Sequence, residues 1–270
     1  MKIVFVGGGN MATALIGGLI RGGHAPGAIH VVEVDAGQRA ALASRFGVGV
    51  APAPDARLHG ADATVLAVKP QQLRAACEQC RPCIDHGFVL SIAAGIGTQA
   101  LASWCGRDSV VRAMPNTPAL IGAGISGVYA RAGVGAGERE LATRILEVSG
   151  TVVWFDDESM LDAVTAVSGS GPAYVFYFIE ALQTAAERMG MNPAQARQFS
   201  VATFAGASRL AQESAEPVAL LRERVTSKGG TTAAALASLQ AAGVDRQFIE
   251  AVFAALERSR ELSRTFGASS

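Results

Sequence analysis

Three stretches of this sequence carry glycines and hydroxyls at spacings that suit the binding of anions. Gly7-Gly8-Gly9-Asn10-Met11-Ala12 has the form G-x-G-x-x-A. In that pattern the first glycine turns tightly, the second lets backbone approach a pyrophosphate, and the small last residue lets a helix pack closely on a strand. A helix beginning there would turn unpaired N–H groups towards the phosphates. Ser168-Gly169-Ser170-Gly171-Pro172-Ala173-Tyr174 and Thr226-Ser227-Lys228-Gly229-Gly230-Thr231-Thr232 each precede a helical pattern. Ser170 is placed there as a natural cap and Pro172 as a first-turn residue. Glycines and hydroxyls at a helix amino end offer several donors to one small carboxylate and need no metal. Ordinary capping also accounts for each cluster taken alone.

Further candidates follow the predicted strands. Gly7, Gly9, Asn10 and Met11 form the dinucleotide fingerprint, and Glu33 stands about 20 residues beyond it, where an acid accepts from a ribose 2′-OH. Asp35 could take that place if the strand runs longer, Arg39 is a nearby cation that argues for a 2′-phosphate, and a plain surface carboxylate is the alternative. Ala67-Val68-Lys69-Pro70 closes one strand at the ligand edge of a parallel sheet, where the proline forbids continuation. The small residues Ala93, Ala94 and Gly95 suggest close approach to a flat ring on the same edge, and Asn116, between Pro115 and Pro118, presents either an amide for a ligand or an Asx-turn.

The elements that must hold these residues are readable as hydrophobic periods. Strands are predicted at 3–6, 29–34, 64–68, 88–92, 110–114, 124–130 and 151–155, with helices at 11–21, 38–46, 71–80, 98–104 and 138–148 between them. That alternation is α/β: a doubly wound, mainly parallel sheet of Rossmann type. Beyond Glu158 only helical spacing remains, at 174–189, 193–212, 217–224, 232–241 and 245–264. The expected organisation is a dinucleotide-binding domain over 1–157 and an all-α substrate and dimerisation domain over 158–270. The last helix carries Phe248, Ile249, Val252, Phe253 and Leu256 as one stripe, which the region must cover internally or against a second copy.

Composition narrows the function classes. Glycine is in excess, at 31 of 270 residues against a usual ~7%. The 23 basic and 23 acidic residues cancel and no basic stripe occurs, so no nucleic-acid partner is expected. The opening residues superficially resemble a signal peptide, but three glycines break the apolar run and no A-x-A site closes it; no membrane span or membrane partner is expected, and a cytoplasmic location is. Cys77, Cys80 and Cys83, with Cys105, have the spacing of an iron–sulfur run, yet they fall in a helical pattern interrupted by Pro82, and no metal is expected. The four histidines form no triad or i, i+4 pair.

Taken together, the GGGNMA start, AVKP at 67–70, PNTP at 115–118, DAVTAVSGSGPAY at 162–174 and TSKGGTT at 226–232 make the chain resemble the pyrroline-5-carboxylate reductases over essentially its whole length. The resemblance implies reduction of the cyclic imine of L-1-pyrroline-5-carboxylate to L-proline, the last step of proline biosynthesis, with NADPH or NADH. It implies a homodimer with interlocked helical domains, often assembled into a ring of dimers. Ser227, Gly229, Gly230, Thr231 and Thr232 would hold the substrate carboxylate, with Thr232 the catalytic hydroxyl nearest the imine nitrogen. Lys228 stands where many members have proline. Two other readings stay in view: a related imine or hydroxy-acid dehydrogenase, or a non-catalytic nucleotide-binding protein. Against the first, the helix over 173–190 contains no lysine of the kind alcohol chemistry uses; against the second, a sensor has no need of a carboxylate clamp.

Overall fold

Residues 1–267 are described by a computed structural model. Eight strands form one sheet: β1 (Ile3–Val6), β2 (Ile29–Val32), β3 (Gly49–Ala51), β4 (Ala63–Leu66), β5 (Phe88–Ser91), β6 (Val110–Met114), β7 (Gly124–Ala130) and β8 (Gly150–Trp154). Their order is β3-β2-β1-β4-β5-β6-β7-β8. All neighbours run parallel except β6 and β7, which are antiparallel. The chain winds outward from β1 to β3 and then crosses to β4, so the order reverses beside β1. A ligand of such a sheet sits at that reversal, outside the carboxyl ends of the strands.

Helices α1 (Asn10–Arg21), α2 (Ala36–Phe46), α3 (Pro70–Cys80), α4 (Thr98–Cys105) and α5 (Ala136–Glu147) link the strands. Alternation along β1 feeds two cores. Ile3 and Phe5 pack with Leu15 and Ile16 of α1 and Ile145 of α5 on one face, while Val4 and Val6 pack with Leu73 and Cys77 of α3 and Trp104 of α4 on the other. Both faces are therefore covered, as the near-continuous apolar strands require.

Two local differences from the sequence reading have physical causes. β3 was not anticipated, because a three-residue strand opening on glycine carries almost no period; Gly49 is needed there since a Cβ would come 2.9 Å from His30 Nδ1. β2 stops at Val32 rather than at 34, because the Asp35 carboxylate accepts from Gln38 N at 2.7 Å and starts α2 early.

The remaining elements are α6 (Met160–Val164), a π-helical turn (Thr165–Gly169), α7 (Gly171–Arg188), α8 (Pro193–Glu213), α9 (Val218–Arg224), α10 (Thr231–Ala241) and α11 (Val244–Gly267). Contacts divide the chain into one unit of Met1–Ser170 together with α11 from Ala255 on, and another of Gly171–Ala254. By this division α6 and the π turn belong to the first unit. Leu161 and Ala166 are buried in the first unit. Asp162 there accepts hydrogen bonds from Ser259 at 2.7 Å and Ser263 at 3.1 Å, which ties α11 to α6. Nearby, buried Arg112 pairs with Glu158 at 3.2 Å, and Glu158 also accepts from Thr98 N and Oγ1 at 2.7 Å.

Candidate functional site

In the sheet unit, the glycine loop between β1 and α1 is built for an anion. Gly7 has φ +98°, and a Cβ on it would meet the Ala67 carbonyl oxygen at 2.7 Å, so only glycine fits. Around a Cβ built on Gly9 there is nothing within 4 Å. Gly9 is also the N-cap of α1 and no side chain caps the helix, which leaves first-turn N–H groups aimed at open space. Behind the loop, the Gly8 carbonyl accepts from Gln38 Nε2 and from Thr13 Oγ1, the latter at 3.3 Å. Ala12 is fully buried, which is how closely α1 lies on the sheet.

Gly7, Gly9, Glu33, Ala67, Val68 and Lys69 line one cavity of about 220 Å³ at the reversal beside β1. Glu33 holds its place through two backbone amides: Oε2 accepts from Gly8 N at 2.7 Å and Oε1 from Asp35 N at 2.8 Å. Asn10 and Met11 open α1 beside it, and Pro70 opens α3. A dinucleotide fits these residues, with pyrophosphate at α1 and a ribose towards Glu33. Sequence reasoning missed Pro52 and Pro54, which follow β3, and Gln72 and Gln79 on α3; all four line the cavity. The polar side chains of an amphipathic helix carry no mark of which ones face a ligand.

Three expected positions have neighbours of their own. Gly95 (φ +76°) lies against Phe266 of α11, whose ring would be 3.3 Å from a Cβ there. Ala93 is buried, and its N–H donates to Ser91 Oγ at 3.3 Å. Asn116 Oδ1 accepts from Ile125 N at 3.0 Å, fastening the loop to β7, so a ligand contact falls to Nδ2.

In the helical unit, Thr226–Thr232 connects α9 to α10 as a tight turn. Gly230 N donates to Ser227 O at 3.0 Å and Gly229 has φ +75°, the pattern of a type II turn with Lys228 at its second position. Gly230 is the N-cap of α10 with no side-chain cap, so the amides of Thr231 and Thr232 are presented beside their hydroxyls. A Cβ on Gly230 would run into Ser227 Oγ. This is an anion cradle of the same physical kind as the first.

The third cluster differs from expectation. Ser170 is not an extended cap: it has φ −85° and ψ −22°, and its N–H donates to Thr165 O at 2.8 Å. Ser168 Oγ donates to Val164 O at 3.0 Å. Pro172 lacks the N–H that a continuous α-helix needs, and the π turn before it absorbs the break. The Ser168 hydroxyl and the Ser170 N–H are thus spent within the helix rather than offered to an anion.

The cysteines are free thiols, with Cys77, Cys80 and Cys105 buried. A hydrogen bond with Cys105, followed by burial, pushes the Cys77 thiol up, and burial pushes Cys80 up to about 12. Among the described residues no group of three or more His, Cys, Asp or Glu is arranged to hold a metal ion. His30, buried on β2, is pushed below the ordinary histidine value by burial first and by the Arg57 charge second, against the opposing pull of Asp55.

Comparison with known proteins agrees with this geometry. Residues 158–262 match the family model described as pyrroline-5-carboxylate reductase dimerisation, and residues 2–95 match that of NADP oxidoreductase, coenzyme F420-dependent. The pyrroline-5-carboxylate reductase of Pseudomonas aeruginosa is 43% identical over 268 residues, covering 98% of each chain. That of Escherichia coli is 38% identical over 98% of this chain and 99% of its own. A solved pyrroline-5-carboxylate reductase from Coxiella burnetii superposes with a TM-score of 0.91 at 38% identity, covering 97% and 98% of the two chains. The pyrroline carboxylate reductase of Plasmodium falciparum with NADP bound gives 0.86 at 26%, with 97% and 98% covered. Sequence and structure agree along the full chain, through both the glycine loop and the helical region, and the chain belongs to the pyrroline-5-carboxylate reductase family.

Proposed function

We infer that this chain catalyses the NAD(P)H-dependent reduction of L-1-pyrroline-5-carboxylate to L-proline. The observation that carries this reading is the full-length match at 43% identity to a reductase of that name. Two uncapped helix ends of the right kind, α1 and α10, accompany it.

The bound nicotinamide supplies a hydride for the imine carbon. Everything else falls to the protein. Gly7, Gly9, Asn10 and Met11 would hold the pyrophosphate through backbone amides at the start of α1, Glu33 would receive the ribose hydroxyls, and Lys69 adds a positive charge to the cavity wall. At α10, the amides of Thr231 and Thr232 and the hydroxyls of Ser227, Thr231 and Thr232 hold the substrate carboxylate, with Gly229 and Gly230 providing the turn. Thr232 Oγ1 donates a hydrogen bond to the ring nitrogen, which polarises the C=N bond towards hydride, and gives that nitrogen its proton as the amine forms, solvent then reprotonating the hydroxyl. Orientation of two bound reactants supplies most of the remaining acceleration.

The working state is a homodimer, or a ring of dimers, formed through the helical region. The dimerisation family match over 158–262 supports this. The location we assign is the cytoplasm: four free thiols suit a reducing compartment, and no helix among the described residues is long and apolar enough to cross a membrane. Purified protein mixed with pyrroline-5-carboxylate and either NADPH or NADH should lose cofactor absorbance and form proline. No oxidation of either cofactor would sink the reading.

A further inference from the structure

We propose that this chain selects NADH over NADPH and that Glu33 makes the selection. The proposal rests on the reading above that the cradle at α1 holds a nicotinamide dinucleotide. It goes further in naming which one.

β2 ends at Val32, so Glu33 is the first residue past the carboxyl edge of the strand next to β1. Its two oxygens accept from Gly8 N at 2.7 Å and Asp35 N at 2.8 Å, which pins the group at the rim of the cavity beside Gly7 and Gly9. A ribose joined to a pyrophosphate at α1 brings its 2′ and 3′ positions to this rim. An ionised carboxylate has about four lone-pair sites. With two amides bound, it keeps capacity for hydroxyl donors and has none for a second anion.

A 2′-phosphate would carry a charge of roughly −1.5 to −2 into contact with that carboxylate. The cations that could offset the repulsion are placed for other tasks. Arg39 turns Nη1 to the carbonyl oxygens of Glu33 at 2.7 Å and Val34 at 2.8 Å, which commits that nitrogen to the backbone of the loop. Lys69 lines the cavity from the loop between β4 and α3, next in sequence to Ala67 and Val68, which line it too. Asp35 adds a second negative charge to the Glu33 side while its Oδ1 caps α2. The ribose corner is therefore acidic, and its acid is locked in place and not free to swing aside.

Direct binding tests this without relying on turnover. Fluorescence titration of the purified full-length protein with NADH and with NADPH should give a Kd at least about 10-fold lower for NADH. Glu33→Gln keeps the size of the side chain and one acceptor while removing the charge. In that variant the preference should shrink at least about 10-fold, mainly through tighter NADPH binding. Equal or tighter NADPH binding by the unmodified chain would overturn the proposal while leaving the reductase reading intact. So would equal weakening of both cofactors in Glu33→Gln, since that is the behaviour of a residue that only shapes the loop. Binding of neither cofactor would overturn the proposal and the dinucleotide reading together.

Discussion

Thr232 and Lys228 lie in one stretch, Thr226–Thr232, but have separable tasks. Thr232 sits in the first turn of α10, behind an N-cap with no side-chain partner, so its hydroxyl has no structural task as a cap. Thr232→Ala should lower kcat/KM by about 10- to 1000-fold, the weight of one positioned donor, with little change in thermal stability. Wild-type steady-state kinetics in that variant would remove Thr232 from the mechanism. Lys228 is exposed and lies before Gly229, whose φ of +75° marks the third position of the turn. The second position of a type II turn favours proline, and the Lys228 N–H is not needed to close the turn. Lys228→Pro should therefore stabilise the protein by about 0.4–1 kcal/mol through a less flexible unfolded chain, read as a rise in the denaturation midpoint. A fall in the midpoint would show that the turn has another geometry.

At the scale of elements, what could be read from sequence followed the strength of the local signal. Ile3–Val6 coincides with its apolar pattern because a parallel strand buried on both faces must be apolar throughout, and Val110–Met114 and Gly124–Ala130 also fall where their strand-forming residues place them. The glycine loop was legible because its φ and its closeness to Ala67 admit no other residue. The π turn at Thr165–Gly169 was not, since Gly-Ser-Gly-Pro reads as a helix start and only the preceding α6 makes it a continuation. The edge strand β3 was also invisible, and it carries a pH-sensitive contact. His30 on β2 packs on Gly49, and burial lowers its pKa from the ordinary 6.5. Between 6.5 and that lowered value the unfolded chain binds a proton that the native chain does not. Stability is then full above pH 6.5, falls as pH drops below it, and levels off once the folded value is passed. Denaturant titrations at pH 7.5 and 5.5, which are roughly one unit either side of the histidine value, should show a smaller loss for His30→Leu than for the unmodified chain. Identical losses would exclude His30 as a source.

For the molecule as a whole, the helical unit raises the question of what covers it. Within Gly171–Ala254 the buried residues are Ala186, Ala196, Ser200 and Gly243, all small. Tyr174, Phe178 and Phe248 make edge-to-face contacts with centroids 5.6 to 5.7 Å apart. In contrast, Phe176 is 65% exposed, Tyr177 69%, Phe199 61% and Phe253 60%. A helical region hiding so little of its own apolar surface cannot offset the entropy of ordering it. Each exposed ring has on the order of 100 Å² still to bury, a gross gain of about 2.5 kcal/mol at ~25 cal/mol/Å². Apolar patches of this extent mark an interface, and the dimerisation family match over 158–262 supports the homodimer proposed above. Folding of this region is then inseparable from association, which makes the thermal midpoint depend on protein concentration. Dilution over about three decades, from ~10 µM to ~10 nM, should lower it by several degrees. Phe199→Glu, which places a charge among these rings, should abolish the concentration dependence and shift the sedimenting species to monomer. A dilution-independent midpoint in a monomeric unmodified protein would mean that the helical unit is stable alone, contrary to its exposed surface.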